Sequence, residues 1–288
     1  MFKKYQHVEK IGNQAVEGLL DGMVHVFTKL DGANASVWFE DGEVKVGSRN
    51  RELDTKENLR GFYQYVQAHE GIQKFVRDYP SFILYGEWLV PHSVKTYDET
   101  AWKEFYVFDM YDPSDDTYIH YEVYKNIMEK YGINYIPVIA SILFPDKEDL
   151  MAVLDQCTFM NGDKAGEGIV CKRYSFRNKY GNVVWGKIVR NEFLESKGEP
   201  VVKDIATGIE EVIVNAVVTE SLVQKEVAKI TEGGALEGKQ IPQVLGRVWY
   251  CLINEELFDQ IKKHKMPVID FHKLNKACNA KVKAVLGL

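Results

Sequence analysis

The feature that most constrains this chain is a change of hydrophobic pattern about two-thirds of the way along it. Through the first part the apolar residues come in short, β-branched runs punctuated by turn signals, with helical stretches between them. Later they recur at helical spacing, and no strand–turn–strand series follows. The change falls at Ser196-Lys197-Gly198-Glu199-Pro200, where polar residues, glycine and proline cluster. The expected organisation is a mixed domain over 1–195 and a small, mostly α-helical domain over 196–288. A length of 288 residues agrees with about two domains.

Within the first domain, the segment 24–30 reads as a strand, and 35–46 as a hairpin turning at Asp41-Gly42. Helical spacing over 62–79 is stopped by Pro80. The segments 82–90 and 105–111 return to strand character, the second closed by Asp112-Pro113. A helix is expected over 121–131, ending at Gly132, and another over 147–157. Strands over 168–174 and 183–189 complete the domain. In the second, 210–230 reads as one long helix broken by Gly233-Gly234, followed by helices over 244–264 and 271–285.

Thirty-six Lys and Arg against 42 Asp and Glu give a net charge of −6, which taken alone argues against a nucleic-acid partner. Two stretches run the other way. Between Asn161 and Arg190 seven basic residues meet two acidic ones, with Tyr174, Phe176 and Tyr180 interleaved, and 259–288 carries the same balance, so each is +5. Aromatic and basic residues together suit a surface that tracks a nucleic-acid strand. The four cysteines form no CxxC pair, which argues against a zinc site and a disulfide framework. No stretch reaches the roughly 20 apolar residues of a membrane span, and none behind the first residues resembles a signal peptide. The expected setting is cytoplasmic, reduced and away from membranes, whether in a cell or encoded by a phage.

The sharpest chemical signal is Thr28-Lys29-Leu30-Asp31-Gly32-Ala33-Asn34. A lysine ends an apolar strand, and a glycine three residues on allows a tight turn beneath it. A free lysine is mostly protonated at neutral pH, so a nucleophilic one needs its charged form disfavoured. Alone, the segment also fits a surface strand ending in a turn. Further segments follow in order: Ser48-Arg49-Asn50, Tyr85-Gly86-Glu87, Phe105-Tyr106-Val107-Phe108-Asp109, Glu167-Gly168-Ile169-Val170-Cys171-Lys172 and Trp185-Gly186-Lys187-Ile188-Val189.

This ordered set resembles the motifs of the covalent nucleotidyltransferases, which include ATP-dependent DNA ligases, RNA ligases and capping enzymes. Asn34 narrows the resemblance to the nick-sealing ATP-dependent RNA ligase family, because DNA ligases usually carry arginine there. The resemblance implies an α+β, ATP-grasp-like ligase domain of antiparallel sheets with helices. DNA ligases and capping enzymes append an OB barrel, whereas 196–288 has no barrel pattern.

The resemblance also implies the site. Lys29 would attack ATP and carry AMP, which then passes to a 5′-phosphate and is expelled by a 3′-hydroxyl. Lys172, Lys187 and Arg49 would face phosphates, and Glu167 would hold Mg²⁺ or Mn²⁺. Asp31, Asn34 and Glu87 would line the nucleotide pocket, with Phe108 stacked on adenine. The implied partner is nicked double-stranded RNA or an RNA–DNA hybrid, engaged by a monomer. Two departures stand out. Val189 occupies a position where the family often has a second lysine, and Asp31 lies at a variable position. Strand alternation sets Arg190 on the face opposite Lys187, so Arg190 does not substitute for that lysine. A small DNA ligase, a guanylyltransferase and an inactive nucleic-acid-binding module remain as alternatives.

Overall fold

A computed structural model describes residues 2–90, 97–160, 166–190, 208–231 and 234–288. The expected domain boundary therefore lies outside the described residues, as does the start of the first basic stretch. The described chain divides into two compact units, one up to residue 190 and one from residue 208. The fold is α+β, with two sheets in the first unit and, among the described residues, helices alone in the second.

The described residues of the first unit form ten strands: β1 (Val8–Lys10), β2 (Met23–Lys29), β3 (Ala33–Glu40), β4 (Glu43–Ser48), β5 (Ile83–Leu89), β6 (Glu104–Asp112), β7 (Thr117–Tyr118), β8 (Val138–Leu143), β9 (Gly168–Lys172) and β10 (Trp185–Val189). One sheet has the order β1-β10-β9-β2-β8 and the other β4-β3-β5-β6-β7. All neighbours are antiparallel except β1 and β10. The hairpin turns at Asp41 (φ 54°) and Gly42 (φ 81°), two left-handed residues whose twist matches that of the flanking strands.

Each sheet buries one face under helices and turns the other toward its partner sheet. Val26, Ile169, Cys171 and Ile188 of the first sheet pack with α4 (Lys147–Asp155) through Leu150, Val153 and Leu154. Val37, Val46, Leu84 and Val107 of the second sheet pack with α1 (Phe62–Ala68), α2 (Glu70–Asp78) and α3 (Tyr121–Tyr131). Between the sheets lies an aromatic cluster in which Trp185 of the first meets Tyr5 and the Trp38, Ile83, Tyr85 and Tyr111 side chains of the second. Alternation along paired strands fixes which residues face inward.

The expected helix over 62–79 is two helices. His69 between them is extended (φ −83°, ψ 100°), and its Nδ1 accepts the Ile72 N–H at 3.2 Å, so a side-chain cap restarts the chain in a new direction. The expected helix over 210–230 likewise divides into α5 (Ile209–Val217) and α6 (Glu220–Thr231). There Thr219 Oγ1 accepts the Leu222 N–H at 3.2 Å. Strands β1, β7 and β8 were not expected.

The second unit continues with α7 (Ile241–Cys251), a π-turn segment over Leu252–Glu256, α8 (Leu257–Lys263) and α9 (Phe271–Leu286). Ile213, Val217, Val223, Val244, Val248, Leu274, Cys278 and Val282 form its core. Asp270 caps α9 by accepting from the His272 and Lys273 amides, and Glu210 in turn accepts the Asp270 N–H at 2.9 Å. Glu226 on α6 is buried and pairs with Arg247 Nε on α7 at 2.6 Å. Cys157, Cys171, Cys251 and Cys278 are free thiols. No helix among the described residues is long and apolar enough to cross a membrane.

Candidate active site

The chain crosses from one sheet to the other in three residues, Leu30-Asp31-Gly32, between the end of β2 and the start of β3. That crossing sets Lys29 of the first sheet beside residues of the second. Gly32 is required there by close approach. A Cβ on it would lie 2.6 Å from the Trp88 carbonyl oxygen and 3.0 Å from Glu87 Cγ. Its φ is not in the left-handed region, so the need for glycine is space rather than the turn conformation expected from sequence.

The crossing is held by two side chains. Gly32 N–H donates to Glu87 Oε1 at 2.8 Å, and Asp31 N–H donates to the Tyr97 hydroxyl at 2.6 Å. Lys29 Nζ lies 2.6 Å from Glu167 Oε2, and both are partly buried. Asn34 is directly opposite Glu87 in the β3–β5 ladder. Burial pushes the Glu87 carboxyl up to about 7. The Lys29 charge and the Gly32 amide pull it down, while Asp31 and Glu167 add to the rise. Lys29, Asp31, Asn34, Glu87 and Glu167 thus converge on one point: an amine surrounded by carboxylates at a sheet crossing.

Lys187 shares the sheet face of Lys29. Lys29 is opposite Gly168, Val170 is opposite Lys187, and side chains two apart on a strand share a face. Val189 is on that same face. Arg190 leaves β10 on the other side, where it donates to the Gly166 carbonyl at 3.3 Å and pairs with Asp155 of α4 at 3.1 Å. Arg49 is exposed just beyond β4, and its Nη2 is 3.1 Å from His7 Nδ1. Ser48, the residue before it, is opposite Ala35, the neighbour of Asn34 in β3.

Lys172 stands apart from Lys29 along the sheet. It lies on the Lys29 face but is opposite His25, four residues along β2, or about 13 Å of strand. Its side chain is 2% exposed, and Nζ is 2.8 Å from Asp109 Oδ1, itself fully buried. Tyr5 OH donates to Asp109 Oδ2 at 2.6 Å, and Trp185 Nε1 donates to the same oxygen at 3.1 Å. Burial pushes the Asp109 carboxyl up and the Lys172 ammonium down, and their mutual attraction works against both shifts. Phe108 packs beside this pair, its ring 4.9 Å from that of Tyr5.

Two participants were missed from sequence. Tyr97 stands in a polar segment without periodicity and carried no signal. Asp109 did carry one: a lone acid in the apolar run Phe105–Met110 must find partners if the strand is buried.

Among its described residues, the first basic stretch is partly engaged in internal contacts. Besides Lys172 and Arg190, Arg173 donates to the Asp21 carbonyl and Arg177 to that of Gly181. Phe176 is buried and Tyr174 packs against Trp185, so of the three interleaved aromatics only Tyr180 is exposed. The expected strand-tracking surface is reduced accordingly. In α9, by contrast, Lys273, Lys276 and Lys283 are exposed and the helix contains no carboxylate.

Comparison with solved structures finds this fold in Naegleria gruberi RNA ligase. The structure with PPi matches with a TM-score of 0.54 at 20% identity, over 68% of this chain and 58% of that chain. A mutant of that ligase with ATP and Mn matches at 0.53 and 20% identity, over 66% and 57%. Another mutant, with AMP and Mn, gives 0.54 and 21% over 68% and 58%. The chain therefore covers less than two-thirds of that ligase's length. No curated protein matches by sequence. The family model for RNA ligase matches residues 22–189, more than half of the chain and every motif from Lys29 to Lys187; this protein belongs to the RNA ligase family.

Proposed function

We propose that this protein is an ATP-dependent RNA ligase that seals 3′-hydroxyl/5′-phosphate breaks in duplex RNA or RNA–DNA hybrids, using Lys29 as the nucleophile. The observation that carries the reading is the Lys29–Glu167 contact of 2.6 Å at the sheet crossing, with Glu87 and Asn34 alongside. The ATP, AMP and PPi held by the Naegleria ligase support the same chemistry for this relative.

Lys29 Nζ must lose a proton to become nucleophilic, and its ion pair with Glu167 favours the ammonium, so the pair must part and the proton pass to solvent before attack. Nζ then bonds to the α-phosphorus of ATP while the bond to the bridging oxygen breaks and pyrophosphate departs. A 5′-phosphate oxygen next attacks that phosphorus, the N–P bond breaks, and Nζ regains its proton. Finally the 3′-hydroxyl oxygen attacks the 5′-phosphorus, its proton is lost, and AMP leaves with the bonding electrons. Throughout, the protein contributes position and fixed charge. Lys187 would face the α-phosphate, Arg49 the incoming 5′-phosphate, Asn34 and Glu87 the nucleoside, and Phe108 the base.

The donor set suits a hard divalent cation. Among the described residues no group of three or more His, Cys, Asp and Glu side chains could cage a metal. Mg²⁺ or Mn²⁺ would therefore rest on Glu167 together with substrate phosphates and water, the usual arrangement for magnesium. Its contribution when bound is to neutralise phosphate charge.

The helical unit would assist by holding the strand. Lys273, Lys276 and Lys283 fall on one face of α9, opposite the buried Leu274, Cys278 and Val282. Their charge complements phosphate despite the net −6 of the chain.

Covalent labelling with radiolabelled ATP tests the proposal. Wild-type protein acquires one AMP, and Lys29→Ala acquires none. An adenylate detected by mass spectrometry on Lys29→Ala would overturn the assignment, and an unlabelled wild type would favour an inactive binding module. Sealing of RNA, DNA and mixed nicks then separates RNA ligase from DNA ligase.

A further inference from the structure

The β5–β6 ladder contains one irregularity, and it falls at Phe108, the residue assigned to the base. Gly86 is opposite Val107 and Tyr85 is opposite Asp109, so Phe108 is an extra residue in β6 with no partner of its own. Such a bulge breaks alternation and re-aims side chains. Its effect is visible in two consecutive residues reaching the same neighbour: the Phe108 ring packs at a tilt against the Tyr5 ring, 4.9 Å between centres, and Asp109 accepts from the Tyr5 hydroxyl at 2.6 Å.

One side chain holds both bulge residues. Lys172 Nζ donates to the Phe108 carbonyl at 2.6 Å, lies 2.8 Å from Asp109 Oδ1, and sits 5.7 Å from the centre of the Phe108 ring. Tyr124 OH donates to the same carbonyl at 3.1 Å. A buried ion pair contributes little to stability compared with apolar residues of the same volume, but it specifies geometry. A lysine with these partners and 2% exposure has its ammonium enclosed by protein groups.

We propose that Lys172 is a positioning residue that clamps the Phe108–Asp109 bulge and so presents the Phe108 ring to the nucleotide base, rather than a ligand of the phosphates. This rests on the nucleotide reading of the site. It predicts that base recognition depends on Lys172 while phosphate recognition does not.

The test compares two ligands on the full chain by titration calorimetry: α,β-methylene ATP, which carries the base and cannot be transferred, and inorganic tripolyphosphate, which has no base. Lys172→Met leaves Asp109 buried without its cation, so Asp109→Asn/Lys172→Met, a neutral pair, is measured alongside it. The expected result for the double variant is a tenfold or greater loss of affinity for the ATP analogue, with tripolyphosphate changed less than twofold. Equal losses for both ligands, or no loss for either, would overturn the proposal.

A second measurement needs no variant. Amine acetylation of wild-type protein, mapped by mass spectrometry, should leave Lys172 unmodified with or without ligand. Modification of Lys172 in the free protein that tripolyphosphate prevents would identify a phosphate ligand and refute the clamp. Wild-type protein that binds neither ligand would instead bring down the nucleotide reading of the site, and the clamp with it.

Discussion

Glu87→Gln should make the folded protein more stable at neutral and alkaline pH while impairing its labelling by ATP. Burial raises the Glu87 carboxyl from an ordinary 4.5 to about 7. A shift of that size means that ionising Glu87 costs the folded state about 3 kcal/mol relative to the unfolded chain. The sign follows from comparing the two states. Below about pH 4 the carboxyl is protonated in both, and there is no cost. As pH rises toward 7 the unfolded chain ionises while the folded one keeps its proton, so stability falls. Above about 7 the whole cost is present. Glutamine stays neutral, and its side-chain oxygen can still accept the Gly32 N–H. Partial exposure of Glu87 reduces the penalty, so a gain of about 2–3 kcal/mol is expected near pH 8, shrinking toward zero near pH 4. Urea denaturation of ATP-free protein measures it. Trp38, Trp88, Trp102 and Trp185, four of the five tryptophans, report on the first unit. A stability gap independent of pH, or one that narrows toward alkaline pH, would refute the reasoning. A carboxylate that destabilises its own fold is what a binding site retains at a cost to stability.

Gly32→Ala should distort the crossing, because its Cβ would lie 2.6 Å from the Trp88 carbonyl oxygen. The expected loss is about 1–3 kcal/mol in urea denaturation, with slower labelling by ATP. Labelling at the wild-type rate would show that the crossing does not position Lys29. Replacing Lys273, Lys276 and Lys283 together by alanine should weaken binding to nicked RNA and lower the slope of log affinity against log salt by about 2–3. Filter binding across a salt series measures this, with ATP labelling as the control for an intact first unit. An unchanged slope would exclude α9 from the strand-binding surface.

Much of the architecture was legible because alternation and helical spacing are local properties. The hairpin at Asp41-Gly42, the strands around Glu87 and Phe108, and the helical second unit all follow from residues near one another in sequence. The elements that were missed depend on partners. β1 is three residues, Val8-Glu9-Lys10, with no pattern of its own, and it exists as a strand because β10 supplies a parallel neighbour. The two divided helices were missed because His69 and Thr219 act as caps, and a cap depends on side-chain direction rather than hydrophobicity.

For the site, the sequence by itself determined the family resemblance and named Lys29, Glu87 and Glu167 through motifs whose order is a linear property. It also determined that Arg190 would face away from Lys187, since strand alternation has a fixed period. Only the tertiary structure decided that a three-residue crossing brings these groups together from two sheets. It alone gave Lys172 its buried partner, because a one-residue bulge opposite Gly86 turns Asp109 inward to meet it. It also decided how the charge is used. The basic residues of 161–190 are partly tied to internal carbonyls and carboxylates, whereas Lys273, Lys276 and Lys283 remain on the surface of α9. The reason is physical. Pattern and composition report what a side chain prefers, but burial, register and partners fix what it does, and those are settled by residues distant in the chain.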